Sequence, residues 1–288
     1  MAAEQALPIV VTGASSAVAG FLLAQLKSAG TSTFAISRQA RPAQGTTWIR
    51  ADIATDEIGR RIASACALVH ATPITLLPAL LKREADAGWL RRVVALSSTS
   101  VVTKLDSSDR RDRALAARLA EAEQDSWRLC EAAGIPLTIL RPTLIYGGSP
   151  PGGLGQVRRL GWSIGVFPLV GKACGLRQPV HAEDVATACL QALRSDATPG
   201  RSYAIPGGET LTYREMISRV LAADGHGTRL VTVPPFAARA AVRLLGFLPA
   251  FAGLSPAVAD RMNQDLVFDS TDAARDFGYR PRGFSGSL

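Results

Sequence analysis

Lysine is scarce in this chain: of 32 basic residues, only Lys27, Lys82, Lys104 and Lys172 are lysines, and the rest are arginine. Histidine occurs three times. The four cysteines, Cys66, Cys130, Cys174 and Cys189, show no metal-ligand spacing. Cysteines in such apolar or helical surroundings are expected to be buried free thiols, which suits a reducing cytoplasm and gives no reason to expect a metal site. No basic-then-apolar leader precedes Pro8, so no secretory signal is expected. Long apolar runs are missing as well: the richest stretch, 236–254, is interrupted by Arg239, Arg243 and Pro249. That is too short and too charged for a transmembrane segment. Two further gaps matter more. No acidic residue lies between Glu4 and Asp52, and no tyrosine precedes Tyr146.

What remains is ample material for a large core. Hydrophobic residues make up 47% of the 288 positions, and the mean hydropathy is +0.15. The formal net charge of +8 comes from arginines scattered over helical patterns, with few aromatics among them. A nucleic-acid partner would call for a basic stripe, so the excess fits a small anionic ligand better.

Periodicity predicts strands over 9–12, 31–37, 47–51, 68–70, 92–97 and 137–141. Helical patterns over 18–29, 56–66, 74–87 and 111–133 alternate with them. Such alternation predicts an α/β fold, a Rossmann-type doubly wound parallel sheet with ligands at the carboxyl ends of its strands. After the Gly/Pro cluster at 147–153 the alternation loosens. Helices are expected over 156–164, 182–193, 213–223, 236–244 and 256–265, with short strands over 178–180, 202–205 and 229–233. The expected division is a dinucleotide-binding domain over 1–150, with the chain returning around 177–205 to complete it. A smaller C-terminal α/β substrate region then takes up most of 151–288.

The first strand runs into Thr12-Gly13-Ala14-Ser15-Ser16-Ala17-Val18-Ala19-Gly20, a turn of small residues that opens a helix. Such a turn offers backbone N–H groups and a helix dipole to an anion. It resembles the T-G-x-x-G-x-x-G turn of the extended short-chain dehydrogenases, which include sugar-nucleotide epimerases and dehydratases. Ser16 and Ala19 stand where the second and third glycines usually do. Four later segments strengthen the resemblance: Ala51-Asp52-Ile53, Val69-His70-Ala71-Thr72, Ser97-Ser98-Thr99 and Leu140-Arg141-Pro142-Thr143-Leu144-Ile145-Tyr146-Gly147. The resemblance implies that Gly13 to Val18, Ser37, Arg38, Asp52, Ile53, His70, Ala71, Thr72, Pro142 and Thr143 surround a nicotinamide dinucleotide. The second strand ends Ser37-Arg38, with Arg41 a turn later and no acid nearby. An arginine forks onto a 2′-phosphate, whereas a carboxylate would repel it, so NADP(H) is expected ahead of NAD(H).

The catalytic trio of that family is incomplete. Thr99, with Ser98 beside it, matches the serine or threonine that hydrogen-bonds the reacting oxygen. The Tyr-x-x-x-Lys pair is replaced by Leu115 and Leu119, followed by Glu123 where an acid usually trails. Leucine has no proton to exchange, so three routes stay open: another group substitutes, the hydride acceptor needs little protonation, or the protein binds NADP(H) without turnover, as a sensor or binding protein. Tyr146 and His181 are the nearby titratable side chains; the family's equivalent of His181 is usually structural. On the substrate side, Arg177 and Arg261 match arginines that contact a pyrophosphate, implying a phosphorylated or nucleotide-sugar-type substrate. Pairing of extended members through helices such as 74–87 and 111–133 implies a homodimer.

Overall fold

The computed structural model describes residues 7–39, 45–62, 64–148, 153–223, 227–237 and 261–287. Its centre is a seven-stranded sheet built from β1 (Ile9–Thr12), β2 (Thr33–Ser37), β3 (Thr47–Arg50), β4 (Cys66–His70), β5 (Leu90–Leu96), β6 (Leu137–Pro142) and β11 (Arg201–Ile205). The order is β11-β6-β5-β4-β1-β2-β3, and every pairing is parallel. β1 (IVVT) and β4 (CALVH) are buried along their whole length. Such uninterrupted apolar runs are what a sheet covered on both faces requires.

Helix α1 (Ala17–Ser28) packs on one face beside α6 (Ala182–Arg194), sharing a core with Leu22, Leu26, Val185 and Cys189. On the other face α2 (Leu77–Glu84) and α4 (Arg110–Ala132) lie side by side over Leu68, Val93 and Ile139. The one-turn α3 (Ser100–Thr103) leads from β5 towards α4. A third, smaller core gathers Tyr146 of β7 (Ile145–Tyr146), Leu154 of α5 (Gly153–Ile164), Leu169 of β8 (Val166–Val170) and Met216 of α7 (Tyr213–Ala222). Two-stranded ladders stitch this lobe together: β8 with β13 (Arg229–Val233), β9 (Leu176–Arg177) with β12 (Leu211–Thr212), and β7 with β10 (Val180–His181). The last helix, α8 (Thr271–Phe277), returns to the main core through Ala273 and Phe277.

Several expectations shift. The helix expected over 56–66 shrinks to one 3-10 turn at Gly59–Arg61. The Glu84 carboxylate takes the N–H groups of Ile58 and Gly59 and the Trp89 indole, at 2.7, 3.0 and 2.9 Å, which pins the segment before a helix can grow. The strand expected over 178–180 splits into β9 and β10 around Pro179, which has no N–H to give a ladder. Cys174 is exposed, whereas the other three cysteines are buried; all four are unpaired. The helices expected over 236–244 and 256–265 fall mostly outside the described residues. Among those residues, no helix is long and apolar enough to cross a membrane.

Candidate active site

At β1 the chain order of the sheet reverses, with β2 on one side and β4 on the other. Ligands of open parallel sheets bind at this switch point, beyond the carboxyl ends of the strands. Here the turn after β1 sits. Gly13 has φ +67°, and a Cβ on it would lie 2.6 Å from both the Ala71 carbonyl oxygen and Thr72 Cγ2. Only glycine fits this close pass between the turn and the end of β4. Ser16 caps α1, its Oγ accepting from Ala19 N at 3.2 Å. By helix geometry the first-turn N–H groups of Ala17 and Val18 have no carbonyl behind them. Both residues line a cleft of about 390 Å³.

That cleft continues over Ser16, Ala71, Thr72, Leu96, Ser97, Ser98 and Pro142. Its wall is completed by Leu115 and Leu119, side by side on α4. The residues that replace the expected tyrosine and lysine therefore make an apolar surface. Glu123, one turn on, is buried and faces the strand ends. It accepts from Ser97 Oγ at 2.5 Å and from Arg141 Nε at 3.1 and 3.2 Å, and pairs with Arg141 Nη2. This acid ties α4 to β5 and β6.

Gly13, Ala14, Ser15, Ser16, Ala17 and Val18 all belong to the turn, with Ala14 buried and Ser15 exposed. Ser37 is buried and caps Gln39 N, and Arg38 projects exposed from the end of β2. Arg41 lies outside the described residues. Asp52 closes its own turn by accepting from Ala54 N at 2.9 Å, and Ile53 is buried behind it.

His70 corrects one expectation of direct cofactor contact, because it is fully buried. Its Nδ1 lies 3.0 Å from Thr12 Oγ1, and Nε2 lies 2.8 Å from Thr72 Oγ1 and 3.3 Å from the Pro73 carbonyl. That carbonyl only accepts, which puts the proton on Nε2 and makes Nδ1 an acceptor from Thr12. Burial lowers its pKa to about 4. His70 is thus a neutral strut that fixes Thr72 against Gly13.

A second cleft, of about 650 Å³, opens beyond Thr99 and Thr143, the neighbours of Ser98 and Pro142. Thr99 is buried, and its hydroxyl donates to the Pro142 carbonyl at 3.3 Å. The described charged side chains on its lining are Lys104, Arg177 and Arg261. Arg177, on that lining, is buried, with Nη1 donating to the Leu176 and Gln264 carbonyls at 2.7 Å and Nη2 to that of Arg261. Its guanidinium carbon sits 5.3 Å from the Tyr213 ring centroid. Tyr146, expected at the substrate, lines neither cleft; it packs edge-on to His181 and Phe284, and its hydroxyl points to the Gly283 carbonyl. His181 caps α6 through Nδ1, accepting from Glu183 N at 3.2 Å.

Arg261 does face the cleft. It pairs with Asp112, which also binds Lys104 Nζ at 2.8 Å. Burial works to raise the Asp112 carboxyl, but hydrogen bonds from Lys104 and Arg261 outweigh it and hold the group below its ordinary value. Sequence reading passed over Asp112. The available signal is its place one turn before Leu115 on the inner face of α4.

No family profile matches the chain. The uncharacterized protein y4nG of Sinorhizobium fredii (strain NBRC 101917 / NGR234) is 29% identical over 116 residues, 40% of this chain and 28% of that protein. Solved structures match over nearly the full length. The epimerase Mth375 of Methanothermobacter thermautotrophicus has a TM-score of 0.74 at 14% identity, covering 96% of this chain and 88% of its own. MoeE5 in complex with UDP-glucose and NAD has a TM-score of 0.74 at 18% identity, covering 97% and 95%. The chain shares the fold of these proteins. A terminal R domain from the myxalamid PKS-NRPS biosynthetic pathway has a TM-score of 0.74 at 17% identity, covering 99% of this chain and 89% of its own.

Gly13→Ala tests the turn. The added Cβ meets main-chain oxygen in a left-handed conformation, a strain of about 1–3 kcal/mol. The variant is expected to melt at lower temperature and, if the turn holds a nicotinamide dinucleotide, to bind it at least roughly tenfold more weakly, read by calorimetry. Unchanged binding would show that the turn does not approach the ligand.

Proposed function

We propose that this protein is an NADP(H)-using oxidoreductase, epimerase/dehydratase-like or reductase-like, that acts on an anionic, phosphorylated or nucleotide-sugar-type small molecule without a catalytic tyrosine. The turn at Gly13 carries the reading: its close pass against the end of β4 sets the first-turn N–H groups of α1 on the cleft at the switch point. The main-chain groups of Ser15 to Val18 would hold the pyrophosphate, and the exposed Arg38 would fork onto a 2′-phosphate. Bound nicotinamide supplies or accepts hydride. Thr99, on the larger cleft, and Ser98, on the smaller, would orient the reacting oxygen.

The leucine wall supports a Tyr-independent route, because Leu115 and Leu119 neither give nor take a proton. It equally favours a second reading, an NADP(H)-dependent binding or sensor protein without turnover. Restoring Leu115→Tyr together with Leu119→Lys separates them. Turnover in that double variant alone would mark the natural chain as a binder. A homodimer through the neighbouring helices α2 and α4 belongs to the same proposal.

Cofactor choice is tested by titrating NADPH and NADH into the protein in one buffer. NADPH is expected to bind more tightly. Arg38→Glu removes a charge-assisted contact of about 1.5–3 kcal/mol, so its NADPH dissociation constant should rise roughly tenfold to a hundredfold while that for NADH hardly moves. Tighter NADH binding by the natural protein would refute the NADP assignment.

A further inference from the structure

The larger cleft is poorly suited to a hydrophilic substrate. Its described lining is mostly apolar, with Leu144, Leu154, Val157, Met216, Leu266 and Phe268 prominent. A sugar or nucleobase buried there would leave most of its hydroxyls and ring edges dry and unpartnered. Several polar side chains of the lining are already engaged: Thr99 donates to the Pro142 carbonyl and Thr143 to that of Gln178, while Gln156 and Tyr213 complete the polar set. Gln178 Oε1 accepts from Phe268 N at 2.8 Å, and Arg177 has both terminal nitrogens on main-chain carbonyls.

The described charges on the lining are positive, Arg177 held on main-chain carbonyls and Lys104 with Arg261 beside it. Lys104 and Arg261 reach the lining together, and both are clamped by Asp112, whose two oxygens take one cation each. The carboxylate neutralises one of them, so the cluster presents a single net positive charge. Arg261 binds Asp112 through Nη1, and among the described residues nothing engages its Nε and Nη2. Ser107 Oγ donates to Asp112 at 3.2 Å and steadies the clamp. With Arg177 withdrawn, the described residues do not offer the two convergent guanidiniums that a diphosphate calls for.

We infer that the substrate is an apolar-bodied molecule with one acidic head, a carboxylate or a monophosphate, which Lys104 and Arg261 hold while the carbon skeleton lies along the Leu144–Phe268 wall. This rests on the proposed oxidoreductase reading and narrows its substrate class. The volume of about 650 Å³ lies within the usual range of small-molecule sites and has room for such a molecule.

The probes are decanoate, decyl phosphate, decanol and UDP-glucose, titrated by calorimetry into the full chain with and without NADPH. Decanoate or decyl phosphate is expected to bind at least tenfold more tightly than decanol, and whichever binds better identifies the head. Lys104→Met should remove that advantage and leave decanol unchanged. Phe268→Asn, which spares the clamp, should weaken the acid and the alcohol alike. The inference is overturned if UDP-glucose binds more tightly than both acids, if decanol equals them, or if no decyl compound binds at millimolar concentration. NADPH titrated alone keeps the readings apart: its failure to bind sinks the oxidoreductase, whereas its binding alongside indifferent decyl compounds sinks only the substrate class.

Discussion

Glu123→Ala is expected to destabilise the protein by about 3 kcal/mol or more, the range for breaking a buried ion pair by removing one partner. The Glu123 side chain is 5% exposed and that of Arg141 28% exposed. Removing the carboxylate leaves the guanidinium facing a dry pocket, with partial access to water holding the loss to the lower end of the range. Ser97 loses its acceptor in the same step. Glu123→Gln keeps the shape and some of the hydrogen bonds and should cost clearly less. A Glu123→Leu/Arg141→Leu double variant removes both charges and should recover much of the loss, because the penalty lies in the orphaned charge rather than in the pair's net worth. Urea unfolding of the four proteins gives the comparison. An Ala variant as stable as the natural chain would show that the pair is slack. Ser97 lines the smaller cleft and Arg141 sits near the end of β6 beside it, so on the proposed function NADPH affinity should fall in the same order as stability.

This acid also shows what the sequence could and could not disclose. The alternation of patterns specified the parallel sheet, because a strand covered on both faces runs apolar along its length, as β1 and β4 do up to their last residues, Thr12 and His70, which satisfy each other. The turn was legible through Gly13, where one residue type alone satisfies the backbone. The loss of the tyrosine and lysine was legible too, and Leu115 and Leu119 do face the cleft. Side-chain direction was not. Arg177 and Arg261 stand at comparable motif positions, yet one turns its nitrogens onto carbonyls 84 to 87 residues away and the other turns towards Asp112, 149 residues away. Long-range partners of that kind leave no local pattern. The segment over 56–66 failed for a related reason: its N–H groups are taken by Glu84, a residue 25 or 26 positions further on.

His70 is expected to make stability fall with acid before the carboxylates do. Its folded pKa is about 4, depressed chiefly by burial, against about 6.5 for an unperturbed histidine. The unfolded chain therefore takes up the proton first. Stability from the neutral ring is complete above about pH 6.5 and is lost as pH falls, with a slope approaching 1.4 kcal/mol per pH unit and a total of about 3 kcal/mol by pH 4. Below that the folded protein also binds the proton and the slope ends. His181 is shifted the same way by burial and by Arg282, so the natural chain alone would give a mixed slope. Subtraction removes the mixture: His70→Gln carries no titrating ring, should be less stable at pH 7.5, and should lose less between pH 6.5 and 4.5. Parallel curves for the two proteins would contradict the assignment of a buried neutral ring. The same titration bears on function. A second ring proton would sit on Nδ1, against the Thr12 hydroxyl that now donates to it, and the hydroxyl would have to rotate within a closed pocket. Because Thr72 rests on His70 and abuts Gly13, NADPH affinity should weaken over that same acid window in the natural chain and stay level in His70→Gln.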